Sequence, residues 1–148
     1  MAFGYRLLWI GRRARDPLLE SAGDYATRLA RYAPLERAMI RDSDKAGEGH
    51  ALLEKLRAGD HIVCLDERGK TPTTVELSHC ITGWMKNQRA VVFVIGGADG
   101  LHDDVKARAR ETISLSRFTL PHRLAQVVLL EQLYRAHTLL KGEKYHRA

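Results

Sequence analysis

The sequence predicts a single α/β domain built around a mostly parallel sheet. Strand-like and helix-like segments alternate about five times, with no internal repeat and no linker between them. The segment 90–95 is apolar throughout and rich in β-branched residues, which is typical of a central strand covered by helices on both faces. A composition that is 45% hydrophobic and 28% charged over 148 residues fits one folded domain rather than a disordered or fibrous chain.

The first half of the chain contains three predicted strands, at 5–10, 35–40 and 61–66. Asp16 and Pro17 form a typical helix start, and apolar residues between 18 and 32 recur every three or four positions. An amphipathic helix should therefore follow and end near Pro34. The polar segment 42–49 is expected to be a mobile loop, and a short helix around 52–56 should stop at Gly59.

The second half begins with a predicted turn at 67–72 and a helix whose expected core positions are Val75, Leu77, Ile81 and Trp84. After the strand at 90–95 come a glycine-rich turn, a charged helix at 102–111 and a short strand at 113–116. An irregular segment at 117–121 then leads into a long helix at 123–140. The apolar stripe of this last helix is too broad for one-sided burial, so it predicts a homodimer interface.

Charge is concentrated at the two ends of the chain, which has a formal net charge of +6. Arg12, Arg13 and Arg15 share one short loop, and Lys141, Lys144 and Arg147 surround Tyr145 in the tail. Such a distribution suits a polyanion, although charge alone does not choose RNA over DNA.

Cysteine and histidine usage points to a reducing compartment without a metal site. Cys64 and Cys80 are expected to be two buried thiols, and the seven histidines lack any spacing that would place two ligands on one helix face. No apolar stretch approaches the ~20 residues that a membrane helix needs, and Arg6 interrupts any signal-like run at the N-terminus. We therefore expect a cytoplasmic protein with no membrane partner.

Two stretches could carry chemistry. Gly96, Gly97 and Gly100 follow the central strand, at the carboxyl end where open parallel sheets bind ligands. The stretch lacks the Lys-Ser/Thr of a P-loop and the glycine spacing of a dinucleotide site. A ligand-binding loop and a tight turn that needs glycine only for its conformation are equal alternatives here. The segment 114–122 has no regular period, so its backbone groups need a ligand or another loop as partner.

Farther on, Glu131 and Arg135 stand one helical turn apart and should form a partly buried ion pair.

Four stretches taken together resemble the RlmH family of SPOUT methyltransferases. They are Ile95-Gly-Gly-Ala-Asp-Gly-Leu101, Ser114-Leu-Ser-Arg-Phe-Thr-Leu-Pro-His122, Leu130-Glu-Gln-Leu-Tyr-Arg-Ala136 and Gly142-Glu-Lys-Tyr-His-Arg147. The resemblance covers the whole chain as one SPOUT domain, 1–148, including Leu65-Asp66 and Gly69-Lys70. It implies a three-layer α/β sandwich whose C-terminal part is threaded into a trefoil knot, and a homodimer.

The resemblance also implies an activity and a set of site residues. Members of the family transfer a methyl group from S-adenosylmethionine to N3 of a pseudouridine in large-subunit (23S) ribosomal RNA, on assembled ribosomes and not on DNA. Matched to this sequence, the cofactor contacts fall on Leu65, Gly97, Ser116, Arg117, Phe118, Thr119, Leu120 and Pro121.

The tail is expected to close over the cofactor site of the partner subunit. There His146 would assist removal of the N3 proton, while Tyr145 and Arg147 would hold the RNA. In one departure from the family pattern, Gln126 stands where relatives carry an arginine, and Arg123 lies one turn earlier as a possible replacement.

Two alternatives belong to other functional classes. A non-catalytic RNA-binding or ribosome-assembly factor could use the basic loop at 12–15, and it would bind RNA in a salt-dependent way without binding S-adenosylmethionine. A nucleotide-binding enzyme of flavodoxin-like topology is disfavoured, because its phosphate motif is missing.

Overall fold

Five strands alternate with five helices in the computed structural model, which describes residues 2–147. The strands are β1 (Gly4–Gly11), β2 (Leu35–Arg41), β3 (His61–Lys70), β4 (Ala90–Ile95) and β5 (Glu111–Ile113). The helices are α1 (Pro17–Leu29), α2 (Lys45–Lys55), α3 (Thr74–Asn87), α4 (Asp103–Ala107) and α5 (His122–Leu140).

The five strands form one sheet in the order β2-β1-β4-β3-β5, and every neighbouring pair is parallel. β4 lies near the middle and is buried at five of its six positions, as its apolar sequence predicts. Because all strands run the same way, the loops that leave their carboxyl ends gather at one edge of the sheet. The predicted α/β class with a parallel sheet is confirmed.

Helices cover both faces, which makes a three-layer sandwich. On one face α1, α3 and α5 bury a core that includes Leu29, Ile81 and Leu130. On the other face α2 and α4 bury a smaller core that includes Leu52 and Val105. The long C-terminal helix α5 packs between α1 and α3, so it crosses the middle of the sheet although β5, the strand before it, lies at the edge.

The prediction of a mobile loop at 42–49 is wrong, because α2 begins at Lys45. The polar residues there cap the helix: the Asp44 side chain accepts a hydrogen bond from the Gly47 amide (2.9 Å). The buried Glu48 carboxylate accepts another from the Ser43 amide (2.9 Å). Polar side chains that satisfy a helix start resemble a loop when only their composition is considered.

Other boundaries also differ from the predictions. β3 continues through the predicted turn to Lys70, since Gly69 lets the backbone lie against β5, where a Cβ would come within 2.6 Å of the Thr112 carbonyl oxygen. The charged helix shrinks to α4, and β5 begins at Glu111, two residues earlier than expected. Val75 is 45% exposed and so is not a core position, and Cys80 is only half-buried.

The buried histidine His137 generates a prediction about acid stability. Its Nε2 lies 2.7 Å from the Tyr5 hydroxyl, and its ring stacks on Tyr32 at 5.4 Å. Burial, with a smaller contribution from the Lys141 charge, lowers the pKa of His137 to about 4. The unfolded chain, with an imidazole pKa near ~6.5, takes up the proton first.

We therefore expect the free energy of unfolding to be retained above about pH 6.5 and to fall by roughly 3 kcal/mol through this group as the pH drops to 4. Urea unfolding from pH 7 to 4.5 measures it. His137→Gln should flatten the pH dependence, whereas His50→Gln, at a largely exposed residue, should leave it unchanged. An equal slope in His137→Gln and the unmodified protein would contradict this assignment.

Candidate functional site

A cleft of about 770 Å³ opens at the carboxyl edge of the sheet. Three segments form it: residues 65–68 of β3, the loop 96–101 after β4, and the segment 115–122 between β5 and α5. Each comes from a different parallel strand, and β3 lies between β4 and β5 in the sheet. The cleft therefore lies where open parallel sheets bind ligands.

The loop after β4 needs its glycines for space and for conformation. The Gly100 amide donates to the Gly97 carbonyl (3.0 Å), and Gly100 has a positive φ of 77°. A Cβ on Gly96 would come within 2.9 Å of the Gly100 carbonyl carbon, so the two backbone segments touch directly. The same glycines line the cleft. Tight turning and close approach to a ligand are thus combined in one loop.

The segment 115–122 is held by short-range bonds that leave part of it facing the cleft. The Ser116 hydroxyl accepts from the Phe118 amide (2.9 Å), and the Thr119 hydroxyl donates to Glu67 of β3 (2.7 Å). Phe118 is 84% exposed even though it lines the cleft. An apolar ring held this way at the rim of a cavity is suited to being covered by a ligand or a second chain.

Four ionisable side chains line the cleft: Asp66, Glu67, Arg68 and His122. A hydrogen bond from the Arg68 amide to the carboxylate lowers the pKa of Asp66, which therefore stays charged. Burial lowers the pKa of His122, so its imidazole is neutral near pH 7. Within 2–147, the buried Nδ1 of His122 has no hydrogen-bond partner. His122 thus lines the cleft as a neutral imidazole whose Nδ1 is enclosed by the protein.

The tail packs on the outer side of α5. The Tyr145 hydroxyl donates to Glu131 (3.0 Å), and the Arg135 guanidinium donates to the same carboxylate (2.7 Å), which confirms the predicted ion pair. Arg135 also lies 4.7 Å from the Tyr145 ring centroid and 3.5 Å from the His146 Nδ1. Burial, together with the bond to Glu131, raises the pKa of Tyr145 to about 12, so the phenol remains protonated.

Comparison with known proteins agrees with this architecture. The family model described as "Predicted SPOUT methyltransferase" matches residues 3–146. The chain belongs to the SPOUT methyltransferase family.

Two curated relatives and one solved structure show how far the similarity extends. "Ribosomal RNA large subunit methyltransferase H" of Anaeromyxobacter dehalogenans is 43% identical and aligns over 96% of this chain and 98% of its own length. The protein of the same name from Nitrosomonas eutropha is 40% identical, over 96% and 97%. A probable methylase family protein from Haemophilus influenzae shares the fold, with a TM-score of 0.60 at 9% identity, covering 97% of this chain and 70% of that one.

The structure of this SPOUT methyltransferase brings together seven of the eight residues expected to contact the cofactor. Leu65, Gly97, Ser116, Phe118, Thr119, Leu120 and Pro121 line the cleft. Arg117 is exposed and is not among the lining residues of the described chain. Tyr145, His146 and Arg147, the expected catalytic residues, likewise do not line the cleft of their own chain, as judged over residues 2–147.

Sequence reasoning missed His122 and the charged group at 66–68 as parts of the cleft. The available signal was position, because His122 ends one of the matched stretches, Asp66 belongs to another, and 66–68 follow the apolar part of β3. Gln126 is fully buried, and neither of its side-chain polar atoms has a partner in the described chain. Arg123 bonds Asp16 at the start of α1 (2.8 Å), so its guanidinium is already engaged within the chain.

Neither a metal centre nor a membrane span was found in the part of the chain that the structure describes. No group of three histidine, cysteine, aspartate or glutamate residues among 2–147 could hold a metal ion. None of the helices within the same residues is long and apolar enough to cross a bilayer.

Proposed function

We propose that this chain is a cytoplasmic methyltransferase that uses S-adenosylmethionine to methylate N3 of a pseudouridine in 23S ribosomal RNA on assembled ribosomes. The observation that carries the proposal is the cleft, which seven of the eight expected cofactor residues line. The names of the relatives, which align over nearly the whole chain, support large-subunit ribosomal RNA as the substrate.

The cleft suits S-adenosylmethionine in size and in the character of its lining. A volume of about 770 Å³ is within the range of sites for small organic ligands, ~300–1,000 Å³. Leu65, Leu115 and Leu120 supply apolar walls, while the glycine loop and Asp66 supply directed polar groups. When bound, S-adenosylmethionine supplies an electrophilic methyl group; the protein residues align the acceptor nitrogen and accept its proton.

We further propose the trefoil knot and the homodimer. The path of the chain supports a knot. After β5 at the edge of the sheet, the chain passes β3, where Thr119 donates a hydrogen bond to Glu67. It then returns as α5 across the middle of the sheet. Support for a second subunit comes from Phe118 and Leu140, apolar side chains that remain exposed at the cleft and at the end of α5.

Distance along α5 supports a shared active site. Tyr145 is bonded to Glu131, which lies nine residues along α5 from His122. At ~1.5 Å per residue, the helix separates these two points by about 14 Å. A tail seated in this way cannot also reach its own cleft, so His146, Tyr145 and Arg147 would act in the cleft of the partner subunit. There His146 would accept the N3 proton and Arg147 would hold phosphate.

The first prediction from this proposed function concerns the glycine loop. Gly96→Ala forces a Cβ against the backbone of Gly100, so the loop must move, and we expect S-adenosylmethionine binding to weaken by at least about tenfold. Isothermal titration calorimetry measures this. Gly83→Ala in α3 is the matched control, because nothing lies within 4 Å of the added methyl group. Equal affinity in both variants would show that the loop does not hold the cofactor.

The second prediction tests the tail. Deletion of 145–147 should abolish methyl transfer while leaving dimerisation and S-adenosylmethionine binding nearly intact, whereas Lys144→Ala, at an exposed neighbour, should remain active. Mixing the tail deletion with Gly96→Ala sharpens the test. Random subunit exchange makes about half of the dimers mixed. In each mixed dimer the intact cleft of the tail-deleted subunit receives the intact tail of the Gly96→Ala subunit, so one of the two sites is complete. About a quarter of the wild-type activity should therefore return. Absence of recovery after verified exchange would place tail and cleft in the same chain.

The third experiment tests the reaction itself. Labelled S-adenosylmethionine is supplied with intact ribosomes that lack the modification, and in parallel with free ribosomal RNA, and the product nucleoside is analysed by mass spectrometry. We expect N3-methylpseudouridine on ribosomes only. Transfer to neither substrate would overturn the proposal, and salt-dependent RNA binding without S-adenosylmethionine binding would favour a non-catalytic RNA-binding factor.

A further inference from the structure

A second cavity lies at the same edge of the sheet as the cleft, beside β1 and β2. This groove of about 540 Å³ is lined by Trp9, Leu19 and Met39 and rimmed by the basic loop Arg12–Arg15. Trp9 and Met39 are direct partners in the β1–β2 register, and Leu19 faces them from the first turn of α1. All three apolar side chains are only half-buried, so the groove has an apolar floor that solvent reaches.

The rim of the groove is positively charged, and its carboxylates are already engaged. Arg12 pairs with Asp42 (2.6 Å), and Asp16 is shared between the Leu18 amide and Arg123. Arg13 and Arg15 are exposed and form no ion pair with any residue in the described range 2–147. Two guanidinium groups therefore stand beside an indole with no anion of the protein to neutralise them.

We propose that this groove binds an unpaired nucleotide of the RNA substrate, with its base on Trp9 and its phosphates on Arg13 and Arg15. A nucleotide combines a flat apolar face with negative charge, which is what the floor and the rim of the groove offer together. Unpaired RNA fits better than duplex, because a base stacked in a duplex cannot reach an indole.

The position of the groove connects it to the cleft. β1 ends at Gly11, where a Cβ would lie 3.0 Å from Cε1 of His122, a residue that lines the cleft. The next residue, Arg12, lines the groove. The two cavities are thus neighbours, separated by the packed pair Gly11 and His122, and we infer that one strand of RNA can span both. The choice of RNA rests on the proposed function, whereas the groove and its charge do not.

Tryptophan fluorescence tests the groove without requiring methyl transfer. The chain has two tryptophans, and Trp84 is buried, so stacking of a base on Trp9 should quench the exposed signal. The probe is a single-stranded oligouridine titrated without S-adenosylmethionine. We expect quenching with the unmodified protein and none with Trp9→Phe. Trp9→Leu, which keeps apolar packing but cannot stack, should bind about tenfold more weakly, as measured by fluorescence anisotropy of a dye-labelled oligouridine. Unfolding curves verify that both variants are folded.

Charge variants test the phosphate contacts. Arg13→Glu/Arg15→Glu should weaken oligouridine binding by about tenfold or more and reduce the slope of log affinity against log salt by about 1.4, or ~0.7 for each lost phosphate contact. On ribosomes the same variant should raise KM with little change in kcat or in S-adenosylmethionine affinity. Arg57→Glu is the matched control and should behave as wild type. Arg57 is exposed and precedes β3, so it lies at the amino ends of the strands, away from the groove.

Several outcomes would overturn the proposal. One is oligouridine binding without quenching of Trp9. Another is binding of duplex RNA or of polyglutamate to the groove with the same affinity as oligouridine. A third is loss of the dimer in Arg13→Glu/Arg15→Glu, because that result would make the groove a subunit interface. Failure of the proposed function is distinguishable, because absence of methyl transfer leaves the oligouridine result unaffected.

Discussion

The packing of α5 against the middle of the sheet is the constraint on which the rest of the structure depends. Leu129, Leu130, Leu133 and Ala136 are buried there, between α1 and α3. Burial of a leucine side chain contributes roughly 1.5–3 kcal/mol, so the helix has one strongly preferred position. Because an α-helix is rigid over 19 residues, the same burial places its first turn at the cleft and its outer face under the tail.

The first turns of α5 also bury polar groups whose burial apolar packing does not explain. An unsatisfied buried amide costs roughly 1–3 kcal/mol, yet Gln126 is fully enclosed without a partner in the described chain. His122, one turn before it, has an unpartnered Nδ1 at the cleft. Buried amides of this kind are generally served by an internal water. The unpartnered polar groups of α5 thus lie in its first two turns, whereas the buried His137 at its far end has a partner in the Tyr5 hydroxyl.

Prediction from the sequence succeeded where local pattern and tertiary environment agree. The apolar run 90–95 is a buried central strand, and Glu131 and Arg135 pair because helical spacing alone brings them together. It failed at 42–49, where polar residues serve as helix caps, and at Gly69, whose role depends on a strand more than 40 residues away.

The cleft could be predicted through its motifs but not through its geometry. The order β2-β1-β4-β3-β5 brings residues 66–68 next to 96–101 and 115–122, and no local pattern encodes that order. The groove at Trp9 was hidden for the same reason: the arginines are visible in the sequence, but the apolar floor beside them exists only once β1 and β2 pair.

The tail is held by a small number of partly exposed contacts. On α5 they are the Glu131 carboxylate shared by Tyr145 and Arg135, the Arg135 guanidinium over the Tyr145 ring, the Tyr134 ring 4.8 Å from that of Tyr145, and a 3.5 Å contact from Arg135 to His146. On α1's side the Tyr32 hydroxyl donates to Glu143 (2.8 Å). Partly exposed interactions of this kind contribute only about 0.2–1 kcal/mol each. The strongly buried face of α5 therefore fixes the cleft, whereas the contacts on its outer face hold the tail only lightly.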